Sequence, residues 1–322
     1  MRILITNAGG SLGQGVLRLL RKWYPEAYLT AVSFIFPSAA GLYADRVIKA
    51  EPYNYNDEDV IFMKKICKDE KIDLIIPCSD YDTYLLQKFA GDLPLIACSN
   101  EKMSLCFYDK YLTAQLFKEH GLPFALSWLP SKYDKIGQSV IVKPRCGGLS
   151  QAIYREPKEL SVFGDDFVVQ QLKMGKEITI GLYVTRDQRL HGFIVLEREL
   201  WNGITVQSQV TREYDELIGN FCQLMIEKLP IKSSLNIQAI VTEDGQLVPF
   251  EINGRVSGTC TIRDNFGFTD VKYLVEEYLL NKAPSKPSIK PGYAVRVLRD
   301  VIVPGGVLND IHNLQKMDFF EF

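Results

Sequence analysis

NIQAIVTEDGQLVPFEINGR, residues 236–255, is the stretch of this sequence from which its fold and chemistry can be worked out. An Asp-Gly pair at 244–245 joins two apolar runs, which is a strong signal for a β-hairpin. Side chains alternate across a strand, so Glu251 and Asn253 lie on one face and Arg255 takes the next position on it. A carboxylate and an amide oxygen suit Mg²⁺ that is also bound by phosphates, and an arginine suits the phosphate charge. The stretch therefore predicts a magnesium–triphosphate site.

The plainer interpretation of the same stretch is a surface hairpin with a solvated polar end. Surface hairpins often carry lysine and glutamate at such an end. Here the polar residues continue into a glycine-rich turn, Gly254–Gly258, which a solvated hairpin does not need. The pattern favours the magnesium site over the surface hairpin. Motifs elsewhere in the sequence are needed to choose between the two interpretations.

Composition and charge narrow the class of protein. The chain has 322 residues, 47% hydrophobic and 24% charged, with a net charge of −2, which is ordinary for a globular protein of two or three packed units. It has no long basic run, which argues against nucleic acid as a partner. No apolar segment is long enough to span a membrane, and the N-terminus enters a strand without a signal-peptide pattern, so we expect no membrane partner.

Cysteine and histidine usage excludes several kinds of chemistry. Seven cysteines are scattered without a C-x-x-C pair, and an odd number of dispersed thiols suits a reducing cytosol. The three histidines, His120, His191 and His312, lie far apart in the sequence. This spacing argues against a zinc site and against a histidine-based catalytic relay. We therefore expect a cytoplasmic protein.

Residues 1–100 alternate between strand and helix patterns, and a βαβ series of this kind predicts a parallel sheet with right-handed crossovers. The second helix of the series has Asp57 as its expected N-cap. The predicted strands are Arg2–Thr6, Tyr28–Phe34, Leu74–Pro77 and Leu93–Ala97, and the predicted helices are Val16–Trp23 and Asp57–Asp69.

The pattern changes after residue 100. Residues 101–123 read as helical, with a clear helix from Lys110 to His120, and residues 124–178 are rich in strands, which predicts an α+β arrangement for this part. Further predicted strands are Val140–Lys143, Phe167–Gln171, Thr179–Thr185 and Gly192–Glu197, and further helices are Tyr214–Leu229 and Val271–Leu280. The stretch 283–291 holds three prolines and predicts a linker.

The opening ILITNAGGSLGQG, residues 3–15, raises a dinucleotide-binding alternative, because a glycine-rich turn between a strand and a helix can hold phosphate. It is similar to the turn of short-chain dehydrogenases, but Asn7 replaces their first glycine and no acidic residue ends the second strand near Ser33. The Tyr-x-x-x-Lys pair nearest the usual region, 154–158, has a proline within it. Three interpretations stay open: glycines needed for packing, an anionic substrate, and NAD(P).

A set of short motifs, each weak alone, follows along the chain. In order they are Asp109-Lys110 at a helix start, Lys143 at a strand end, Gly147-Gly148 in a loop, Gln171–Lys173 before Gly175–Glu177, Gln238, and Glu251-x-Asn253-x-Arg255. In this order and spacing the sequence resembles the ATP-grasp superfamily over residues 1 to about 280. Within the superfamily it looks like the carbamoyl-phosphate-synthase-like and related carboxylate–amine ligases.

The resemblance implies a fold class and a domain division. The class is α/β, with α+β in the C-terminal part. Residues 1–100 would form a preATP-grasp Rossmann-like domain with a parallel sheet. Residues 101–283 would form a two-lobed ATP-grasp domain, with a small mobile lobe at about 124–178, and residues 284–322 a linker and tail that pack on the core. A homodimer is common among proteins of this kind.

The resemblance also implies a role for each matching residue. Those implied for ATP binding are two phosphate-contacting lysines, a glycine loop, an adenine-reading hinge and a ribose acceptor: Lys110, Lys143, Gly147, Gly148, Gln171, Leu172, Lys173 and Glu177. Those implied for Mg²⁺, or Mn²⁺ in its place, are Gln238, Glu251 and Asn253. Arg255 and Lys143 would be the catalytic residues, because both would act on the transferred phosphoryl group.

We therefore expect an ATP-dependent ligase that phosphorylates a small-molecule carboxylate and joins it to an amine or a similar nucleophile. Such a reaction needs charge neutralisation and positioning more than a proton-transferring residue. Two features depart from the family pattern: the loop at 145–151 is shorter and poorer in glycine, and the chain has one ATP-grasp unit where a carbamoyl phosphate synthase has two. An NAD(P)-dependent oxidoreductase or epimerase, and a non-catalytic ATP-binding protein, remain as alternatives.

Overall fold

The computed structural model describes residues 1–36, 38–53, 56–134, 137–147, 152–297, 300–306 and 320–321. By spatial contact the chain divides into two compact units. The first comprises Met1–Cys98, Arg255–Ser288 and Arg296–Phe322, and the second comprises Ser99–Gly254 and Ile289–Val295. The three-part division expected from the sequence stays a prediction, and the contact boundaries differ from it in joining 255–288 to the first unit. None of the described helices has the length and apolar character needed to cross a membrane.

A parallel sheet forms the centre of the first unit. Its elements are β1 Arg2–Ile5, α1 Ser11–Trp23, β2 Tyr28–Ser33, β3 Arg46–Lys49, α2 Asp57–Asp69, β4 Leu74–Ile76, α3 Asp80–Lys88 and β5 Leu95–Ile96. The strand order is β3-β2-β1-β4-β5, and every pair is parallel. Its central strand β1 is fully buried at Ile3–Ile5, as the strands of a sheet covered on both faces must be. The predicted parallel sheet is confirmed.

Some details of this unit differ from the sequence-based prediction. The N-cap of α2 is Asn56 and not Asp57, since the Asn56 side chain accepts a hydrogen bond from the Glu58 amide at 2.8 Å. Helix α3 was not predicted, although Ser79 caps it by accepting from the Asp82 amide at 3.0 Å. Strand β3 was missed as well, because its sequence RVIK is short and has a charged residue at each end.

Close packing at Gly13 explains a glycine in α1 and gives a stability prediction. A Cβ on Gly13 would lie 2.4 Å from the Cα of Ala8 and 2.8 Å from the carbonyl oxygen of Asn7. Overpacking of this kind forces backbone shifts, so we expect Gly13→Val to lower the free energy of unfolding by about 1–3 kcal/mol in urea denaturation. Gly91→Val is the control, because a Cβ there meets no atom within 4 Å. Unchanged stability of Gly13→Val would show that the glycine is not required for packing.

The second unit contains two antiparallel sheets. Its elements are α4 Glu101–Tyr108, α5 Lys110–Glu119, β6 Ser127–Trp128, β7 Val140–Pro144, β8 Tyr154–Arg155, β9 Phe167–Gln171, β10 Lys176–Val184, β11 Leu190–Trp201, β12 Ile204–Thr211, α6 Asp215–Lys228, β13 Ser233–Val241, β14 Leu247–Asn253 and β15 Tyr293–Val295. The smaller sheet has the order β6-β9-β7-β8, and the larger has the order β14-β13-β10-β11-β12-β15. The predicted change from α/β to α+β is confirmed.

The larger sheet has one apolar face and one polar face. Ile178 and Ile180 of β10 and Ile237 of β13 are buried in one cluster with residues of α4, α5 and α6. Neighbouring residues on a strand point to opposite sides, so Thr179 and Gln238 face away from this cluster. Burial of the apolar face against three helices fixes which side chains are presented on the other face.

The segment that returns to the first unit adds two helices and a short strand pair. These elements are α7 Cys260–Asn265, α8 Asp270–Tyr278, β16 Val301–Ile302 and β17 Phe320–Glu321, with β16 antiparallel to β17. Asp264 of α7 accepts hydrogen bonds from Trp23 Nε1 at 2.6 Å and from Lys22 Nζ at 2.5 Å, both on α1. Arg263 and Asp270 form a fully buried ion pair at 3.4 Å. These contacts hold 255–288 in the first unit.

Candidate active site

The hairpin of β13 and β14 brings two predicted metal ligands side by side. Gln238 pairs with Glu251 across the strands, but the next pair is Ala239 with Pro249, so Phe250 is an extra residue in the ladder. A bulge of this kind tolerates proline, which has no amide hydrogen to donate. The bulge thus sets the register that places the Glu251 carboxylate opposite the Gln238 side chain.

Hydrogen bonds continue from this pair across the polar face. Asn253 donates from Nδ2 to Glu251 Oε1 at 3.3 Å and accepts at Oδ1 from Asn236 Nδ2 at 3.3 Å. Thr179 of β10 donates to Asn236 Oδ1 at 3.1 Å. Asn236 and Thr179 were not among the site residues predicted from the sequence. Asn236 could have been found, since it lies two positions before Gln238 on the same strand face.

Arg198 of β11 is a cation on this face that the sequence analysis missed. Its guanidinium donates to Gln238 Oε1 at 3.0 Å and lies 3.6 Å from Glu177 Oε1. The Arg198 side chain is only 12% exposed, whereas that of Glu177 is 44% exposed. The strand was predicted to end at Glu197, one residue before Arg198. The structure extends β11 to Trp201 and so carries Arg198 onto the sheet.

Lys143 enters the site from the smaller sheet. It is buried near the end of β7, where its Nζ lies 3.8 Å from Glu251 Oε2 and donates to the carbonyl of Phe250 at 3.4 Å. Burial lowers the pKa of the Lys143 ammonium to about 8, and Lys110 contributes in the same direction, while Glu251 and Glu177 raise it. The structure thus brings one predicted phosphate contact next to one predicted metal ligand.

The lowered pKa of Lys143 makes stability depend on pH. Between the folded value of about 8 and the ordinary value of 10.5, the unfolded chain holds a proton that the folded chain does not. The free energy of unfolding therefore gains about 3 kcal/mol as pH rises through that window. We expect urea denaturation of the metal-free wild-type protein to show this increase in unfolding free energy with pH. The Lys143→Met variant should not show it. If the unfolding free energies of the two proteins depended equally on pH, the lowered pKa of Lys143 would be contradicted.

Lys110 lies at the start of α5, whose N-cap is Asp109. The Asp109 carboxylate accepts from the amides of Tyr111 at 2.9 Å and Leu112 at 3.2 Å. The Lys110 ammonium donates to the carbonyl of Gly147 at 2.7 Å. Gly147 adopts a positive φ of 95°, a conformation that favours glycine. The other predicted loop glycine, Gly148, lies outside the described residues.

The predicted adenine hinge follows β9. The amide of Gln171 donates to Leu126 O at 2.8 Å, and the amide of Leu172 donates to Ser139 O at 2.9 Å. Within the described part of the chain, the amide of Lys173 has no backbone acceptor. The amides of Gln171 and Leu172 are therefore engaged within the second unit, and the adenine-binding role of this hinge stays a prediction.

Arg255 belongs to the first unit. Its guanidinium donates to Asp80 Oδ2 at 2.8 Å and to the carbonyl of Val256 at 3.1 Å. Asp80 is the first residue of α3, the helix that follows strand β4. The pairing with Asp80 gives Arg255 a fixed orientation within its own unit.

The oxygen ligands of the polar face fit Mg²⁺. Gln238, Glu251 and Asn253 offer one carboxylate and two amide oxygens, which are hard ligands. Across the residues that the structure describes, no cluster of three histidine, cysteine or acidic side chains could hold a metal. A site with one carboxylate suits an ion that takes its remaining ligands from water and from phosphate.

Residues 107–259 match the family model of the ATP-grasp domain. The chain carries an ATP-grasp domain. The matched range contains the site residues of the second unit, together with Arg255. No curated protein matches the sequence.

Solved structures similar to this chain cover most of its length. N5-carboxyaminoimidazole synthetase from Staphylococcus aureus, complexed with ADP, has a TM-score of 0.75 at 16% identity, over 92% of this chain and 82% of that one. The biotin carboxylase domain of 2-oxoglutarate carboxylase from Hydrogenobacter thermophilus, a dimer with MgADP and bicarbonate, has a TM-score of 0.73 at 14% identity, over 95% and 80%. Carboxyaminoimidazole ribonucleotide synthase from Aspergillus clavatus, complexed with ATP, has a TM-score of 0.72 at 14% identity, over 97% and 84%.

At these identities the structural likeness establishes the fold alone. The predicted ATP-grasp fold, with a parallel sheet ahead of a two-lobed domain, is confirmed. The narrower likeness to carbamoyl phosphate synthases stays a prediction, as do the individual site residues.

Proposed function

We propose that this protein is an ATP-dependent ligase that joins a carboxylate to an amine through an acyl phosphate. The contact between buried Lys143 and Glu251 carries the proposal, because it puts a cation beside the one carboxylate of the magnesium ligand set. Charge neutralisation and fixed geometry are what phosphoryl transfer requires. The ATP-grasp match supports the same reaction class.

In the first step a carboxylate oxygen attacks the γ-phosphorus of ATP, and the bond between that phosphorus and the bridging oxygen of ADP breaks. Lys110, Lys143 and Arg198 bind the phosphate oxygens and offset their negative charge. Mg²⁺, when held by Gln238, Glu251 and Asn253, supplies Lewis-acid stabilisation of the same charge. The buried position of Lys143 keeps its ammonium in a site of low dielectric, where its attraction for phosphate is strongest.

In the second step the amine attacks the acyl carbon, phosphate leaves, and the nitrogen loses a proton. Arg255 steadies the phosphoryl group in this scheme, and Asp80 fixes the direction of its guanidinium. The backbone of the Gln171–Lys173 hinge binds adenine in this scheme. The Glu177 carboxylate accepts hydrogen bonds from the ribose hydroxyls. The Gly147 carbonyl accepts a hydrogen bond from the Lys110 ammonium at 2.7 Å, which places Gly147 beside a lysine proposed to bind phosphate.

The carboxylate class includes bicarbonate, which is the anion bound in the biotin carboxylase domain of Hydrogenobacter thermophilus. Carbamoyl-phosphate-like chemistry on bicarbonate is thus the narrower form of the proposal. We also propose a homodimer, which sedimentation velocity would detect, and a cytoplasmic location. The seven cysteines all lie in the described part of the chain and none of them forms a disulfide, as a reducing compartment allows.

Ligand-induced stabilisation followed by turnover tests the proposal. A ligand that binds the folded state raises the melting temperature by mass action. We expect a rise with MgATP and MgADP and none with NAD⁺ or NADP⁺. Phosphate release would then be measured with bicarbonate and a panel of carboxylates, each with and without amines. A rise with a dinucleotide alone would overturn the proposal, and MgATP binding without turnover on any pair would favour a non-catalytic protein.

A further inference from the structure

Arg145 joins the end of β7 to the start of α5. Its guanidinium forms a fork on the Asp109 carboxylate, with Nε 3.1 Å from Oδ2 and 3.2 Å from Oδ1, and a second nitrogen 2.5 Å from Oδ2. Its remaining nitrogen donates to the carbonyl of Asp165 at 3.0 Å. The guanidinium also lies 5.4 Å from the centre of the Tyr111 ring. One side chain thus contacts two separate parts of the second unit, the start of α5 and the Asp165 segment.

The backbone of Arg145 strengthens the same junction. Its carbonyl accepts from the Lys110 amide at 2.9 Å, and its amide donates to the carbonyl of Asp166 at 2.9 Å. Asp109 is at once the partner of Arg145 and the N-cap of α5. The ion pair is partly buried, since 8% of the Asp109 side chain and 26% of the Arg145 side chain are exposed. The junction therefore fixes Lys110, the next residue after Asp109, relative to Lys143, which lies two residues before Arg145.

Holding two lysines near each other has an electrostatic cost. The ammonium groups of Lys110 and Lys143 carry the same charge, so they repel each other in the absence of a polyanion. The loop after Lys143 is poor in glycine, and its first glycine already accepts from Lys110. A fixed arrangement of both cations therefore needs an attachment outside the lysines themselves. The bidentate Arg145–Asp109 pair provides it, and a lysine could not reproduce its planar fork.

We propose that Arg145, acting through Asp109, is a positioning residue that holds Lys110 and Lys143 in the arrangement required by a nucleotide triphosphate. The inference rests on the proposed function, because it assumes that the two lysines bind phosphates. Arg145 itself makes no contact with the nucleotide. It sets the affinity for the phosphate part of the ligand and leaves the affinity for the nucleoside part unchanged.

Measuring the affinities of the same variants for MgATP and for adenosine distinguishes a loss of lysine positioning from a general loss of stability. We expect Arg145→Lys to weaken MgATP binding tenfold or more in calorimetry, with adenosine binding unchanged. Arg155→Lys is the control, because Arg155 is an exposed arginine on β8 of the same sheet. Equal weakening of both ligands, or a lower melting temperature with unchanged MgATP affinity, would overturn the positioning role.

Two further variants complete the test. Asp109→Asn keeps an N-cap oxygen but removes the charge of the pair, so it reproduces the effect of Arg145→Lys even where the arginine variant folds poorly. The double variant Lys110→Met/Arg145→Lys should bind MgATP no more weakly than Lys110→Met alone, because Arg145 acts through the lysine. If the double variant lost the sum of the two single-variant losses in MgATP binding free energy, the inference would be contradicted. Failure of the wild-type protein to bind MgATP would instead overturn the proposed function, and the inference with it.

Discussion

Lys143→Met is expected to lower ATP turnover about a thousandfold, or ~4 kcal/mol, without lowering the stability of the protein. The loss follows from removal of a buried cation that stabilises phosphate charge where little water screens it. The stability should hold or rise, since burial already lowers the pKa of this ammonium to about 8 despite the nearby Glu251. Desolvation of the charge thus outweighs the attraction of its partner, and methionine fills a similar volume without that cost.

Steady-state turnover and urea denaturation together check this prediction. Lys158→Met is the matched control, because Lys158 is an exposed lysine of the same lobe and should affect neither quantity. Turnover within about fivefold of wild type would show that Lys143 is not at the phosphates, since loss of one preorganised donor typically costs a factor of 10² to 10³. A stability loss that matches the activity loss would show that Lys143 has a structural role.

The site residues that could be predicted are those fixed by local periodicity. Glu251 and Asn253 share a face because strands alternate with a period of two, and this needs no knowledge of the neighbouring strands. The parallel sheet was likewise predictable from the alternation of strands and helices over residues 1–100. The Asp-Gly turn located the hairpin, and β14 runs from Leu247 to Asn253 as the pattern indicates.

The residues that were missed depend on pairing between distant segments. Arg198 joins the polar face because β11 pairs with β10, which fixes the Arg198 side chain beside Gln238. The bulge at Phe250 decides which residue stands opposite Gln238, and a single-residue slip would present the other face. Arg145 could not be assigned for a similar reason, since its partner Asp109 lies on a helix and nothing local to either residue connects them. Strand register and contacts between distant segments therefore determine which of these residues lie at the site, and composition does not reveal them.

Glu251→Gln is expected to raise the Mg²⁺ concentration for half-maximal turnover tenfold or more and to lower the maximal rate by roughly two to three orders of magnitude. Glu251 is the one carboxylate among the three proposed ligands, and an amide of the same size keeps the shape but removes the charge. Glutamine also removes an anion 3.8 Å from Lys143 that raises its pKa, so the ammonium should lose its proton at lower pH. The variant should therefore lose MgATP affinity at lower pH than the wild type.

Magnesium titrations at several pH values test both parts of this expectation. Glu199→Gln is the control, since Glu199 is an exposed carboxylate next to Arg198 along β11 and so points to the opposite face. The double variant Lys143→Met/Glu251→Gln should show less than the sum of the two free-energy losses, because the side chains are in contact and act on one phosphoryl group. An unchanged magnesium requirement in Glu251→Gln would place the metal elsewhere and leave Lys143 as a phosphate ligand alone.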